Sequence, residues 1–211
     1  MTKIVQEHNY KLSQYIHHDD MEANDYDQIK TVRNILHYVS KVINTLRHEQ
    51  SICENLGEYT TDMLATKIYV EIASLYNNQN KYNQKEISDI LSCIASYAII
   101  LLENQSKTDW SNTNYIGAKY ISIINKEYKS IKSKLTGTFK AEEQLNISNV
   151  MSLMLMTAIR LKNIVNTNKI NIEKQEVEEI IMKNILDIMT LGYILFDKIS
   201  AQQDNDQILD L

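Results

Sequence analysis

The 211-residue sequence contains no proline and only four glycines. Proline and glycine are the residues that most often interrupt helices and shape turns, so their scarcity predicts long helices joined by short polar loops. A β-sandwich or β-barrel of this length would need many more turn residues. The predicted fold is therefore all-α, a compact bundle of six or seven helices.

Cysteine is scarce as well. Cys53 and Cys93 are too few and too isolated for a disulfide framework or a thiolate zinc site. The first twelve residues, MTKIVQEHNYKL, lack the apolar stretch of a Sec signal. These features favour the cytoplasm as the default location. A secretion-system effector would have the same features, so secretion stays open as an alternative.

Long apolar runs are missing too. The two most apolar stretches, residues 90–102 and 185–196, are shorter than the roughly 20 residues that a helix needs to cross a bilayer. We therefore predict no transmembrane segment and interpret both stretches as buried core helices.

Arginine occurs only at Arg33, Arg47 and Arg160, whereas lysine, asparagine, isoleucine and tyrosine are abundant. This bias is typical of an AT-rich genome, such as that of a parasite or virus, and carries no information about mechanism. The net charge of −5 disfavours nucleic acid as a partner.

Apolar residues three and four positions apart predict the helices. The first is expected at 27–52, with a buried stripe formed by Ile29, Val32, Leu36, Val39, Ile43 and Leu46. Another begins after Thr60 or Thr61, with Leu64, Ile68, Ile72 and Leu75 facing the core. The remaining helices are predicted at 85–104, 112–135, 141–166 and 173–201.

Helix-capping patterns mark two of the predicted starts. Asp25 stands three residues before Gln28, and Asn83 stands three residues before Glu86, as in a capping box. Gly137 is expected to interrupt the fourth helix.

The predicted organisation is an N-terminal segment with a weak helix at 1–25, a single helical-bundle domain at 26–202 and a flexible acidic tail at 203–211. Central core positions are expected in the most apolar helices, at Ile94, Ala98, Leu155, Ile188 and Leu195.

The stretch QYIHHDDMEANDYD, residues 14–27, has the densest set of metal-ligating side chains. An EF-hand loop starting at Asp20 fails, because position six is Asp25 instead of glycine and position twelve is Thr31 instead of glutamate. His18, Glu22 and Asp25 would share one face of a helix and are candidate metal ligands, but the sequence offers no partner cluster. We interpret the stretch as a solvated approach to the first long helix and predict neither a metal nor a cofactor.

Recognised catalytic motifs are absent from the sequence. Four dispersed glycines rule out the glycine-rich phosphate loops and the G-x-S-x-G elbow, and no H-E-x-x-H occurs. The enzyme alternative is a metal-dependent hydrolase of helical fold that uses His17, His18 and nearby carboxylates.

Lysines cluster toward the end of the fourth predicted helix. They are a candidate patch for an anionic partner, formed by Lys126, Lys129, Lys132, Lys134 and Lys140. Cations near a helix C-terminus also complement its dipole, so the cluster has a structural explanation as well.

The preferred hypothesis is a non-enzymatic helical domain that binds another protein or a second copy of itself. The metal-dependent hydrolase and a host-targeting helical effector stay open as alternatives.

Overall fold

The computed structural model describes residues 23–52, 60–106, 113–139, 146–167 and 174–209. These residues form six α-helices and one short 3₁₀-helix and contain no strand, which confirms the predicted all-α fold. The α-helices are α1 (Ala23–Ile52), α2 (Thr61–Asn77), α3 (Gln84–Ser106), α4 (Thr113–Thr138), α5 (Ile147–Thr167) and α6 (Lys174–Leu209). The 3₁₀-helix, Gln79–Lys81, links α2 to α3.

Helix α6 is the central element of the bundle. It packs along α5, α3 and α4 and also contacts α1. Helix α2 lies against α3 and α5. Nearly every side chain between Asn184 and Phe196 is buried, because neighbours cover this part of α6 on several sides.

Two predicted helix starts are confirmed by hydrogen bonds. The Thr60 hydroxyl accepts from the Met63 amide at 3.3 Å and caps α2. At α3, the Asn83 side chain accepts from the Glu86 amide at 3.0 Å, and the Glu86 carboxylate accepts from the Asn83 amide at 2.8 Å. This reciprocal pair is the capping box that the sequence predicted.

Other helix ends differ from the predictions. Helix α1 already includes Asp25, so this residue lies in the first turn and is not the N-cap. Helix α4 passes through Gly137 and ends at Thr138, because a glycine near the end of a helix weakens it without breaking its hydrogen bonds. Helix α5 begins only at Ile147, where the Asn146 side chain accepts from the Asn149 amide at 2.8 Å.

The helical backbone of α6 continues to Leu209, through most of the predicted acidic tail. The N-terminal segment at 1–22 lies outside the described residues. The division of the chain at 25 and 202 therefore stays a prediction.

The buried face of α1 is rotated relative to the predicted stripe. Val39 and Leu46 are buried as expected, but Val32 is 40% exposed. Tyr38 and Val42 are fully buried instead. The large Tyr38 ring packs against Tyr120, Tyr193 and Phe196, with ring centroids 4.9 to 6.0 Å apart. We infer that this aromatic packing sets the rotation of α1.

The core predictions for the other helices are largely correct. The four predicted positions of α2 are all buried. Ile94, Ala98, Ile188 and Leu195 are also buried, whereas Leu155 is only partly covered and its prediction was wrong. The adjacent Met154 is fully buried instead.

Candidate functional site

The stretch that contains the candidate metal ligands, residues 14–27, lies mostly outside the described residues. His17, His18 and Glu22 precede the first described residue, and for Asp25 only the helical backbone is described. The metal-free interpretation of this stretch therefore stays a prediction. Within the described part of the chain, no group of three or more histidine, cysteine, aspartate or glutamate side chains is arranged to hold a metal ion.

The predicted lysine patch divides into an outer and an inner part. Lys126, Lys129 and Lys132 are exposed on the outer side of α4. They are three residues apart and therefore lie over successive turns of the helix. We call these three residues the lysine face. Lys134 points toward α6 and pairs with Asp187, and Lys140 lies outside the described residues.

Helix α4 carries five lysines and a single acidic residue, Glu127. Glu127 is only 6% exposed, and its carboxylate accepts a hydrogen bond from Lys183 of α6. The described outer surface of α4 therefore bears lysines without a compensating carboxylate of its own. This local excess of positive charge contrasts with the net charge of −5 for the whole chain.

The inner ion pairs form a continuous network between α4 and α6. Lys183 contacts both Glu127 and Asp187, and Asp187 also pairs with Lys134. Asp187 is 4% exposed. Its Oδ1 lies 3.3 Å from Lys183 Nζ, within ion-pair distance, although no hydrogen bond reaches that oxygen among the described residues.

The negative charges of this network raise the pKa of Lys183. Burial by itself lowers the pKa of the Lys183 ammonium. The hydrogen bond to Glu127 and the negative charge of Asp187 outweigh that effect, so the pKa lies above its ordinary value. Lys183 therefore keeps its positive charge at neutral pH, and its ion pair with Glu127 joins α6 to α4.

A neutral contact reinforces the same interface. The Tyr120 hydroxyl of α4 donates to the Met189 carbonyl oxygen of α6 at 3.0 Å. Ile124, Ile131 and Leu135 are buried on the same side of α4. Because packing, hydrogen bonding and ion pairs all act on its inner side, α4 holds the lysine face in a fixed position.

The network was not predicted, although the sequence contains a signal for it. Glu127 lies three residues after Ile124 and four before Ile131, so it occupies the apolar stripe of α4. A carboxylate in a buried stripe requires a cationic or hydrogen-bonding partner. The spacing identifies the need for a partner, and only the tertiary structure shows that Lys183 fills it.

Apolar side chains are exposed on the outer sides of α2 and α5. Met63, Val70, Met156 and Ile159 are between 41% and 56% exposed. Scattered apolar side chains are normal on protein surfaces, so they do not define a second site by themselves.

Comparison with known proteins assigns this chain to no family. No protein-family model, curated protein sequence or solved structure matches this chain. None of the described helices is long and apolar enough to cross a membrane.

Proposed function

We propose that this protein is a non-enzymatic interaction domain whose lysine face binds an acidic segment of another protein. The observation that carries the proposal is the arrangement of charge on α4. Three lysines point outward, while the single carboxylate of this helix is buried in an ion pair with Lys183.

The physical basis is electrostatic complementarity. Neighbouring ammonium groups repel one another, and an acidic segment relieves that repulsion while it forms ion pairs of its own. Lysine suits such a contact because its flexible stem adapts to carboxylates at several positions. The fixed attachment of α4 to α6 presents the three charges together, so the partner binds a preformed surface.

The test uses a fluorescent peptide of twelve residues rich in glutamate and aspartate, with binding followed by fluorescence anisotropy. We expect saturable binding that weakens as salt rises, because exposed ion pairs are screened. Lys129→Glu combined with Lys132→Glu should weaken binding at least about tenfold. The matched control combines Lys81→Glu with Arg160→Glu, which makes the same change in net charge at exposed positions off α4, and should leave binding nearly unchanged.

Two outcomes would contradict the proposal. Equal loss of binding in both double variants would show that net charge, and not the lysine face, attracts the peptide. Tighter binding of a twelve-nucleotide single-stranded DNA, lost in the α4 double variant, would identify nucleic acid as the partner class. Circular dichroism of each variant checks that the fold is retained.

A further inference from the structure

A cleft of about 180 Å³ lies where α1, the first turns of α3 and residues 196–200 of α6 meet. It is separate from the lysine face, since none of the α4 side chains that the structure describes lines it. Leu91, Phe196 and Ile199 provide apolar surface in the cleft. The His37 ring, which also lines it, lies 5.8 Å from the Phe196 ring between centroids.

The polar side of the cleft carries an excess of positive charge. Lys41 and Lys85 both line it. Lys41 Nζ donates to the Ser88 hydroxyl at 2.6 Å and pairs with Asp89 at 2.9 Å. The Asp89 side chain is 55% exposed, so it offsets one of the two lysines only in part.

The Ser88 hydroxyl adds a donor at this place. Its oxygen already accepts a hydrogen bond from Lys41, which leaves the hydroxyl hydrogen available for a ligand. Lys85 is exposed and reaches the same cleft from the first turn of α3. Two ammonium groups and one hydroxyl donor thus lie beside an apolar surface.

We propose that this cleft binds a small organic anion, a carboxylate attached to an apolar body about the size of one ring. The carboxylate pairs with Lys85 and accepts from the Ser88 hydroxyl, and the ring covers Leu91 and Phe196. The volume is sufficient, because a cavity of about 150 Å³ in another protein admits benzene. A single ring with one charged group gives weak binding, with a Kd on the order of 1 mM.

Sodium benzoate is the probe, and the full chain is titrated while amide chemical shifts are followed by NMR. We expect saturable shifts at residues of the cleft. Benzylamine, which has the same ring and the opposite charge, should bind at least about tenfold more weakly, because its ammonium meets two lysines. Benzyl alcohol should fall between the two.

Substitutions locate the binding groups. Lys85→Gln should raise the Kd for benzoate at least about fivefold, and Ser88→Ala should raise it about threefold. Lys81→Gln is the matched control, since Lys81 is an exposed lysine just before α3 that does not line the cleft. It should leave the Kd unchanged. Both lysine side chains are exposed, so thermal midpoints of these two variants should equal that of the natural sequence.

The proposal is wrong if benzylamine binds as tightly as benzoate or if Lys85→Gln and Lys81→Gln have equal Kd values. It is also wrong if benzoate shifts centre on Lys126, Lys129 and Lys132 instead of the cleft. That last result would leave the proposed function of the lysine face intact, so failures of the two proposals are distinguishable.

Discussion

At the residue scale, Gly192 and Tyr38 show how one missing side chain shapes the core. A Cβ added to Gly192 would lie 2.8 Å from the Tyr38 hydroxyl oxygen. Tyr38 is fully buried and surrounded by other aromatic rings, so it has little room to move away. Gly192 therefore makes space for the tyrosine that fixes the buried side of α1.

We predict that Gly192→Ala lowers the free energy of unfolding by about 1–3 kcal/mol through overpacking. This sign opposes the usual preference of helices for alanine over glycine. Chemical denaturation measures the change.

Gly137→Ala is the control, because nothing lies within 4 Å of the added Cβ, and it should be neutral or stabilising by up to about 1 kcal/mol. Tyr38→Phe, combined with Gly192→Ala, should recover part of the loss, since it removes the atom in conflict. Equal stability of the two alanine variants would contradict this account.

Two buried tyrosines differ in how their hydroxyl groups are satisfied. Tyr120 donates to the Met189 carbonyl oxygen, whereas the Tyr193 hydroxyl has no hydrogen-bond partner among the described residues. Tyr120→Phe should cost about 0.5–1.5 kcal/mol, the usual contribution of one hydrogen bond. Tyr193→Phe should be neutral or stabilising, because it removes an unpaired buried polar group. Urea midpoints of the two variants that fall in the opposite order would refute the assignment.

At the element scale, the start of α3 depends on a local device. Asn83 and Glu86 exchange backbone-to-side-chain hydrogen bonds over four residues. These bonds satisfy amide groups that a helix start otherwise leaves without partners. Lys85 and Ser88 lie in the first turns of α3, so the residue at which α3 begins also sets their positions in the cleft.

We predict that Asn83→Ala destabilises the protein by about 1 kcal/mol through loss of the N-cap. Asn163→Ala, at an exposed position of α5 away from its start, should change stability by less than about 0.5 kcal/mol. Thermal denaturation of both variants provides the comparison. A similar effect at both positions would mean that the cap contributes nothing.

At the scale of the whole molecule, the buried tyrosines link stability to alkaline pH. Burial raises the pKa of Tyr38, Tyr120 and Tyr193 above the ordinary tyrosine value of 10.0. The unfolded chain loses these protons near pH 10, while the folded protein retains them to higher pH. Stability is therefore unaffected by these groups below pH 10 and falls above it.

We predict that each of these tyrosines removes up to about 1.4 kcal/mol of stability per pH unit above pH 10. The raised pKa of Lys183 acts in the same direction above its ordinary value of 10.5. Urea denaturation between pH 8 and 11, with tyrosine ionisation followed by absorbance, measures the effect. Tyr193→Phe should make the decline less steep, and a stability that stays constant to pH 11 would disprove the linkage.

The helices and several of their ends follow from the sequence alone. Without proline, and with apolar residues three and four positions apart, the chain favours helices throughout the described regions. The starts at Thr60 and Asn83 were also predictable, because capping bonds join residues only three positions apart. The inward side of α2 followed from its narrow apolar stripe.

In the broader apolar helices, packing between helices selects the side chains that are buried. Val32 and Leu155 suit a core by their chemistry, yet neighbouring helices leave both partly exposed. Lys134 continues the series of lysines in the sequence of α4. In the structure it pairs with Asp187 of α6 and is therefore not part of the lysine face. Helix formation and capping depend on neighbours along the chain, whereas burial and ion pairing depend on helices that are distant in sequence and meet only in the folded bundle.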